Sequence, residues 1–205
     1  MRSARLHHLF VAVILSISIP ALASALELPV RKTPVPVTTN GVPHVQLGVT
    51  PDPALSDELL RRVRAHPDLE VRPTIVSLPG ALGFWIAEGM PLARKDVIVR
   101  GREFAHLHPD GSLHASLSPA LAAQAVQNGW AVPHPWANQR PGWEGFVMIY
   151  TPQSAAELEI VYQLVLAGFE FVKTGKTKAA AGTVRPAVAR PVAPRRDPTQ
   201  LCSTC

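Results

Sequence analysis

The sequence predicts an α+β fold: a single compact domain with a mainly antiparallel sheet and packed helices, flanked by flexible termini. Three observations support this class. Segments with helical periodicity follow capping residues, short strand-like segments are adjacent in the chain, and turn signals such as Pro79-Gly80 and Asp110-Gly111 separate those strands. A chain of 205 residues has room for one such domain with extensions at both ends.

Helices are predicted where apolar residues recur with a period of 3.6 behind a capping residue. Ser118 precedes Pro119 at the start of the second helix, and Ser154 with Glu157 forms a capping-box pattern at the start of the third. The predicted helices are 52–67, 119–128 and 155–171.

Strands are predicted from apolar and β-branched runs between these helices. A bulge is expected at Gly101, inside the predicted strand 95–108. The predicted strand segments are 71–89, which Pro79-Gly80 divides into two strands, 95–108, 112–118 and 145–151.

The N-terminus has the order of a secretory signal. Arg2 and Arg5 precede the apolar run 9–19, and Ala23-Ser24-Ala25 is a small-x-small cleavage site. The run is shorter than the roughly 20 residues that span a bilayer. We therefore expect cleavage after Ala25, export to the periplasm or the extracellular space, and no stable membrane span afterwards.

Three further regions follow this predicted signal peptide of residues 1–25. Residues 26–50, rich in proline and β-branched residues, predict an extended lead-in, and residues 51–172 the α+β domain. Residues 173–205 form a basic, Pro/Ala-rich tail without apolar periodicity, which predicts disorder. The tail ends in a CxxC of Cys202 and Cys205, for which an incidental tail motif is the simplest interpretation, since a four-thiolate zinc site would need a second pair.

The charge distribution argues against nucleic acid as a partner. The net charge of +5 comes from the two ends of the chain, because residues 26–172 hold 11 Lys/Arg against 14 Asp/Glu. A mildly acidic domain offers no basic face to a phosphate backbone.

Three histidines lie close together in GREFAHLHPDGSLHASL, residues 101–117. Alternation along a strand places Arg102, Phe104, His106 and His108 on one face. The other face, with Glu103, Ala105 and Leu107, is expected to join the core.

The turn sets the register of this predicted hairpin. Asp110-Gly111 suits a three-residue loop with glycine in the left-handed conformation, which pairs His108 with Ser112 and His106 with His114. Directly paired residues have Cβ atoms about 5 Å apart, so the three imidazoles are expected to cluster.

The sequence leaves three interpretations of this cluster open. The imidazoles could serve acid–base chemistry, or His106, His108 and His114 could hold a divalent metal with an open position. They could also be a solvated hairpin face. A cupin metal site is disfavoured because the glutamate expected after HxH is missing from Pro109–Ser112. Downstream, Trp130, Trp136 and Trp143 either cover the core or wall a pocket for a flat ligand.

The order R-E-x-A-H-x-H, S-L-H, G-W, H-P and Y-x-P resembles the luciferase domain of bioluminescent fungi and its non-luminous homologues. The resemblance covers residues 55–172 and is densest from 100 to 160. The chain departs from the fungal pattern at Pro133 and Gln153, where that pattern has arginines, and at Thr151, where it has alanine. The matching residues are Arg102, Glu103, Ala105, His106, His108, Leu113, His114, Gly129, Trp130, His134, Pro135, Tyr150 and Pro152.

This resemblance implies an oxygenase that acts on a hydroxylated styryl-pyrone with molecular oxygen and without an added cofactor. We expect a small aromatic or enolic ligand, with His106 or His114 as the base and the other, together with His108, as stabilisers. Substrate binding is expected from Arg102, Trp130, His134 and Tyr150. The alternatives are a metal-dependent enzyme that uses the three hairpin histidines and a non-catalytic extracytoplasmic binding module.

Overall fold

The computed structural model describes residues 26–176, and their fold is α+β as predicted. The expected signal peptide and the tail from residue 177 onward lie outside the described residues. The strands are β1 (Val37–Thr38), β2 (Gln46–Leu47), β3 (Leu69–Pro73), β4 (Leu82–Ile86), β5 (Glu103–Leu107), β6 (Leu113–Ser116), β7 (Ala131–Pro133) and β8 (Phe146–Ile149). The helices are α1 (Pro53–Ala65), α2 (Pro119–Gln127) and α3 (Ala155–Thr174).

One six-stranded antiparallel sheet organises the domain, in the order β3-β4-β5-β6-β8-β7. Helix α3 packs across β5 and β6, and α1 packs against α3 and β3. Leu113 and Ala115 are fully buried in the core beneath these helices, while the opposite face of the hairpin carries the histidines. Within residues 26–176, no helix has both the length and the apolar character that a bilayer span requires.

The predicted capping residues begin two of the helices. The Ser118 hydroxyl accepts the backbone N–H of Leu121 at 3.4 Å, and the Ser154 hydroxyl accepts that of Glu157 at 3.2 Å. Gly175, in the left-handed conformation with φ 71°, ends α3 three residues beyond the predicted end.

The predicted register of the β5–β6 hairpin is confirmed. His106 pairs with His114, and the backbone N–H of His108 donates to the Ser112 carbonyl at 2.8 Å. Gly111 has φ 80°, the left-handed conformation that the three-residue loop requires.

The predicted strand 95–108 is wrong in its first half. Lys95–Val97 forms a single 3-10 turn, and Gly101, with φ 64°, turns the chain before β5 begins at Glu103. The irregularity expected at Gly101 is therefore a turn that precedes the strand.

A separate β-bulge lies inside β5 and changes which side chains face the histidines. Trp85 pairs with Glu103 and Phe84 with Ala105, so Phe104 is the extra residue. Phe104 and Ala105 are both buried in the core, which breaks the alternation. As a result Glu103, predicted for the core face, lies on the histidine face, and Arg102 does not.

Residues 26–50 form an N-terminal strap that packs along the domain. Its β1 and β2 pair as a small antiparallel hairpin. The Arg31 guanidinium donates to the Glu157 carboxylate at 3.0 Å and to the Thr151 carbonyl at 3.0 Å, and both side chains of the Arg31–Glu157 pair are buried. The strap thereby brings His44, which is 4% exposed, against the hairpin.

Candidate active site

A cavity of about 290 Å³ lies on the histidine face of the sheet, near the lower end of the size range of small-molecule sites. Its polar lining is mainly imidazole, and its remaining walls are largely apolar, with Val42, Val76, Leu78, Trp136 and Phe146 among them. Five histidines line it: His44, His106, His108, His114 and His134.

The five imidazoles form one cluster around the ring of His114. The His44 ring lies nearly parallel to it at 5.3 Å between centroids, and His106, His108 and His134 meet it edge to face at 5.0, 4.6 and 4.5 Å. The three hairpin histidines are between 3% and 5% exposed, so the interpretation as a solvated hairpin face is wrong.

A line of hydrogen bonds, here called the histidine relay, joins one carboxylate to three of these rings. Glu103 Oε1 lies 3.1 Å from His106 Nδ1, and His106 Nε2 lies 3.0 Å from His114 Nδ1. His114 Nε2 then lies 3.2 Å from His44 Nδ1. The relay therefore connects the sheet interior with the strap across three imidazoles.

Glu103 is held in place by donors on both of its oxygens. The Thr74 hydroxyl donates to Oε1 at 2.7 Å, and the Ile75 backbone N–H donates to Oε2 at 3.0 Å. The Thr74 oxygen itself accepts the Val76 N–H, so its hydroxyl hydrogen is available for Glu103. Glu103 consequently serves as the acceptor at the buried end of the relay.

The other two histidines have separate partners. His108 Nδ1 lies 2.9 Å from the Ser112 hydroxyl, which donates to Asp110 Oδ1 at 2.7 Å. His134 Nδ1 accepts the backbone N–H of Trp136 at 3.1 Å. No hydrogen bond between described residues uses Nε2 of His44, His108 or His134.

Burial keeps several of these rings neutral near pH 7. Desolvation, followed by repulsion from the neighbouring His106, lowers the pKa of His108 to about 4. Desolvation and then His44 lower the pKa of His134 to about 3, and burial likewise lowers the pKa of His44 and, strongly, that of His114. Neutral imidazoles each keep one nitrogen lone pair that can take a proton or bind a metal.

The structure brings together four of the seven predicted site residues, His106, His108, His114 and His134. Arg102 was expected beside them, but its guanidinium donates to the carbonyls of Ile86, Ala87 and Met90 at 2.6–2.8 Å, because the bulge removes it from that face. These three hydrogen bonds hold the Arg102 side chain at the C-terminal end of β4, away from the cavity.

Two predicted substrate-binding aromatic residues also lie away from the cavity. The Trp130 indole N–H donates to the Pro29 carbonyl at 2.5 Å, and the Tyr150 ring centroid lies 5.6 Å from the Arg31 guanidinium carbon. Both rings anchor the strap. Trp136, in contrast, lines the cavity.

Sequence reasoning missed His44 and Glu103. His44 stands in an irregular proline-rich segment, where no periodicity predicts which side chain turns inward. Glu103 was assigned to the core face because a regular strand alternates its side chains. A buried glutamate next to an HxH motif was the available signal, since an unpaired carboxylate is rarely placed in an apolar core.

Two histidine triplets have the spacing of metal ligands, with ligand atoms within 4.8 Å of one another: His44, His114, His134 and His106, His108, His114. The first fits poorly. Because His134 Nδ1 accepts the Trp136 N–H, its hydrogen sits on Nε2, which leaves no lone pair there for a metal.

The second triplet fits the donor chemistry of a divalent cation better. Metal-binding imidazoles usually donate their other N–H to a carboxylate or another acceptor. His106 faces Glu103 in this way, and His108 faces Ser112, which is backed by Asp110.

The fold and the site define an α+β protein with an imidazole-lined cavity on one face of its sheet. Residues 101–168 match the model of the luciferase domain. The chain is 30% identical over 181 residues to proteins named luciferase from Armillaria gallica and Armillaria ostoyae. Each alignment covers 77% of this chain and 64% of the relative, so the chain spans somewhat less than two thirds of these curated relatives. No solved structure matches the chain. The family to which the chain is similar is therefore the luciferase-domain family.

Proposed function

We propose that the histidine cavity binds a small aromatic or enolic molecule and promotes its reaction with molecular oxygen, without a bound cofactor. The observation that carries this proposal is the cluster of buried imidazoles in an apolar-walled cavity, in a chain that is similar to the luciferase-domain family. The two fungal relatives are named luciferase, and we extend oxygen chemistry to this chain as part of the proposal.

The cavity has the features that such a reaction needs. A neutral imidazole removes a proton from an acidic enol, and the resulting anion carries the electron pair that forms a carbon–oxygen bond to O2. O2 is thereby reduced by two electrons to a peroxide attached to the substrate carbon. Apolar walls exclude water from the anion, and a second imidazole N–H can donate to the developing oxyanion.

Oxygen uptake by the purified full-length chain tests the proposal. We expect a panel of hydroxylated styryl-pyrones to include at least one compound that quenches tryptophan fluorescence on binding and consumes O2. Val76→Trp, which fills the cavity, should abolish both signals. Val126→Trp, the same change on the partly exposed surface of α2, should leave them intact.

The results of this assay also separate the alternatives. Binding without oxygen uptake would identify a non-catalytic binding module. The absence of both signals across the panel would refute the proposed ligand class.

A metal-dependent enzyme is a second candidate, favoured by the carboxylates behind His106 and His108. Elemental analysis of the purified protein, followed by titration of metal-stripped protein with zinc, tests it. Stoichiometric zinc that is lost in His108→Gln would support this candidate. Full oxygen uptake by protein without metal would refute it.

We also propose that the chain is exported after removal of residues 1–25. The support is the order of the leader: basic residues, an apolar run and a small-x-small site. N-terminal sequencing of the exported protein should begin at Leu26, and an intact leader would contradict this.

A further inference from the structure

The polarity of the hydrogen bonds determines which ring nitrogen of each imidazole carries the hydrogen. A carboxylate only accepts, so Glu103 requires the hydrogen of His106 on Nδ1. His106 Nε2 must then accept from His114 Nδ1, and His114 Nε2 must accept from His44 Nδ1. The His44 ring is therefore left with a lone pair on Nε2, and so is the His108 ring, whose Nδ1 must donate to the Ser112 hydroxyl.

The same reasoning gives His134 the opposite polarity. Its Nδ1 accepts the Trp136 N–H, so its Nε2 carries a hydrogen. The rings of His44 and His134 meet edge to face at 5.2 Å between centroids, and both line the cavity. One proton acceptor and one hydrogen-bond donor thus stand side by side at the same wall.

We propose that Nε2 of His44 is the base of this site and Nε2–H of His134 is the donor to the substrate oxygen. Glu103 is the positioning residue that sets this polarity through His106 and His114. The inference rests on the proposed function and assigns residues within it. His106 and His114, whose nitrogens are all engaged, transmit the proton rather than touch the substrate.

One proton moves across each hydrogen bond of the relay, and no proton is gained or lost in total. The substrate proton binds His44 Nε2, and the Nδ1 proton of His44 passes to His114 Nε2. The Nδ1 proton of His114 passes to His106 Nε2, and that of His106 passes to Glu103. Every ring ends neutral with its hydrogen on Nε2. The negative charge has moved from the Glu103 carboxylate to the substrate anion.

This relay and a metal on His106, His108 and His114 exclude each other. A cation held by His106 Nε2 and His114 Nδ1 would replace the 3.0 Å hydrogen bond between those atoms. The tautomer of His114 therefore reports which arrangement the protein uses, because its hydrogen lies on Nδ1 in the relay and would lie on Nε2 with a metal on Nδ1.

Imidazole nitrogen-15 spectra of the full chain near pH 7.5 test the polarity without any substrate. We expect the hydrogen on Nδ1 for His44, His106 and His114 and on Nε2 for His134. Hydrogen on Nε2 of His44 in the unsubstituted protein would overturn the proposal.

Glu103→Gln is the sharpest variant, because it should reverse the relay and keep the fold. The Ile75 N–H requires an acceptor, so the glutamine oxygen turns toward it and the NH2 group faces His106 Nδ1. His106, His114 and His44 should then all carry hydrogen on Nε2, and turnover should fall with little change in pyrone binding. Glu58→Gln, the same change in a surface pair of α1, should alter neither the spectra nor the turnover.

His44→Gln provides the kinetic test. Loss of a general base typically costs about 10²–10⁴-fold, so we expect kcat to fall at least about hundredfold while pyrone binding persists. Full turnover in His44→Gln, or unchanged tautomers in Glu103→Gln, would overturn the assignment while the proposed function stands. The expected tautomers without oxygen uptake for any pyrone would instead overturn the proposed function.

Discussion

At the scale of single residues, Gly145 shows how tightly the sheet packs beside the cavity. A Cβ at this position would lie 1.9 Å from the Leu117 carbonyl oxygen, and the Leu117 N–H donates to the Gly145 carbonyl at 2.9 Å. The two backbones therefore approach as closely as only glycine allows.

We expect Gly145→Ala to lower the free energy of unfolding by about 3 kcal/mol or more, at or beyond the upper end of ordinary overpacking costs. Urea unfolding measures this change. Gly41→Ala is the matched control, since a Cβ there meets nothing within 4 Å. Equal stability of the two variants would show that the strands can separate at Leu117.

The site residues divide into those that local pattern predicts and those that it does not. The His106–His114 pairing was predictable because a three-residue turn and strict alternation act within a dozen residues. That Glu103 rather than Arg102 lies on the histidine face was not predictable. The bulge responsible depends on pairing with β4, about twenty residues earlier in the chain. A single sequence contains no local sign of that pairing.

At the scale of elements, a buried ion pair is one of the contacts that hold the strap on the domain. The Arg31 and Glu157 side chains are only 2% and 9% exposed. The Arg31 guanidinium carbon also lies 5.9 Å from the Trp130 ring centroid and 5.6 Å from that of Tyr150.

We expect Arg31→Met to cost about 3–5 kcal/mol of folding free energy, because it leaves the Glu157 carboxylate buried without its charge partner. Urea unfolding and limited proteolysis of the strap measure the loss. Arg31→Met combined with Glu157→Gln should recover part of it, since no unpaired charge remains. Arg61→Ala, in an exposed pair on α1, should cost less than about 1 kcal/mol.

Helices and strands were largely predictable, and the strap's contribution was not. Capping residues and periodicity placed all three helices within three residues of their observed ends. The strap makes its contacts through isolated side chains such as Arg31 and His44, which follow no period. Its position depends on partners more than 60 residues away in the chain, among them His114 and Glu157.

At the scale of the whole molecule, the buried imidazoles couple stability to pH. In the folded protein burial lowers the pKa of His108 to about 4 and of His134 to about 3, from an ordinary value of 6.5. The pKa of His44 and His114 is lowered as well. Between these folded values and 6.5 the unfolded chain binds more protons, so stability is full above about pH 6.5 and falls as the pH decreases.

We expect the free energy of unfolding to drop between pH 7.5 and pH 5, by up to about 1.4 kcal/mol per pH unit for each such histidine below the ordinary pKa. Urea titrations at both values measure it. His134→Gln should show a smaller drop, because one of the titrating rings is gone. A pH-independent midpoint across this range would mean that the rings have the same pKa in the folded and in the unfolded protein.

His44, in the strap, affects how members of the luciferase-domain family should be compared. The matched segment, residues 101–168, contains Glu103 and four of the five cavity histidines, but His44 lies outside it. Two relatives can therefore agree at every position of that segment and still differ in the one ring that meets the substrate proton. Divergence at the residue aligned with His44 would then separate family members that share a chemistry from those that only share a binding cavity.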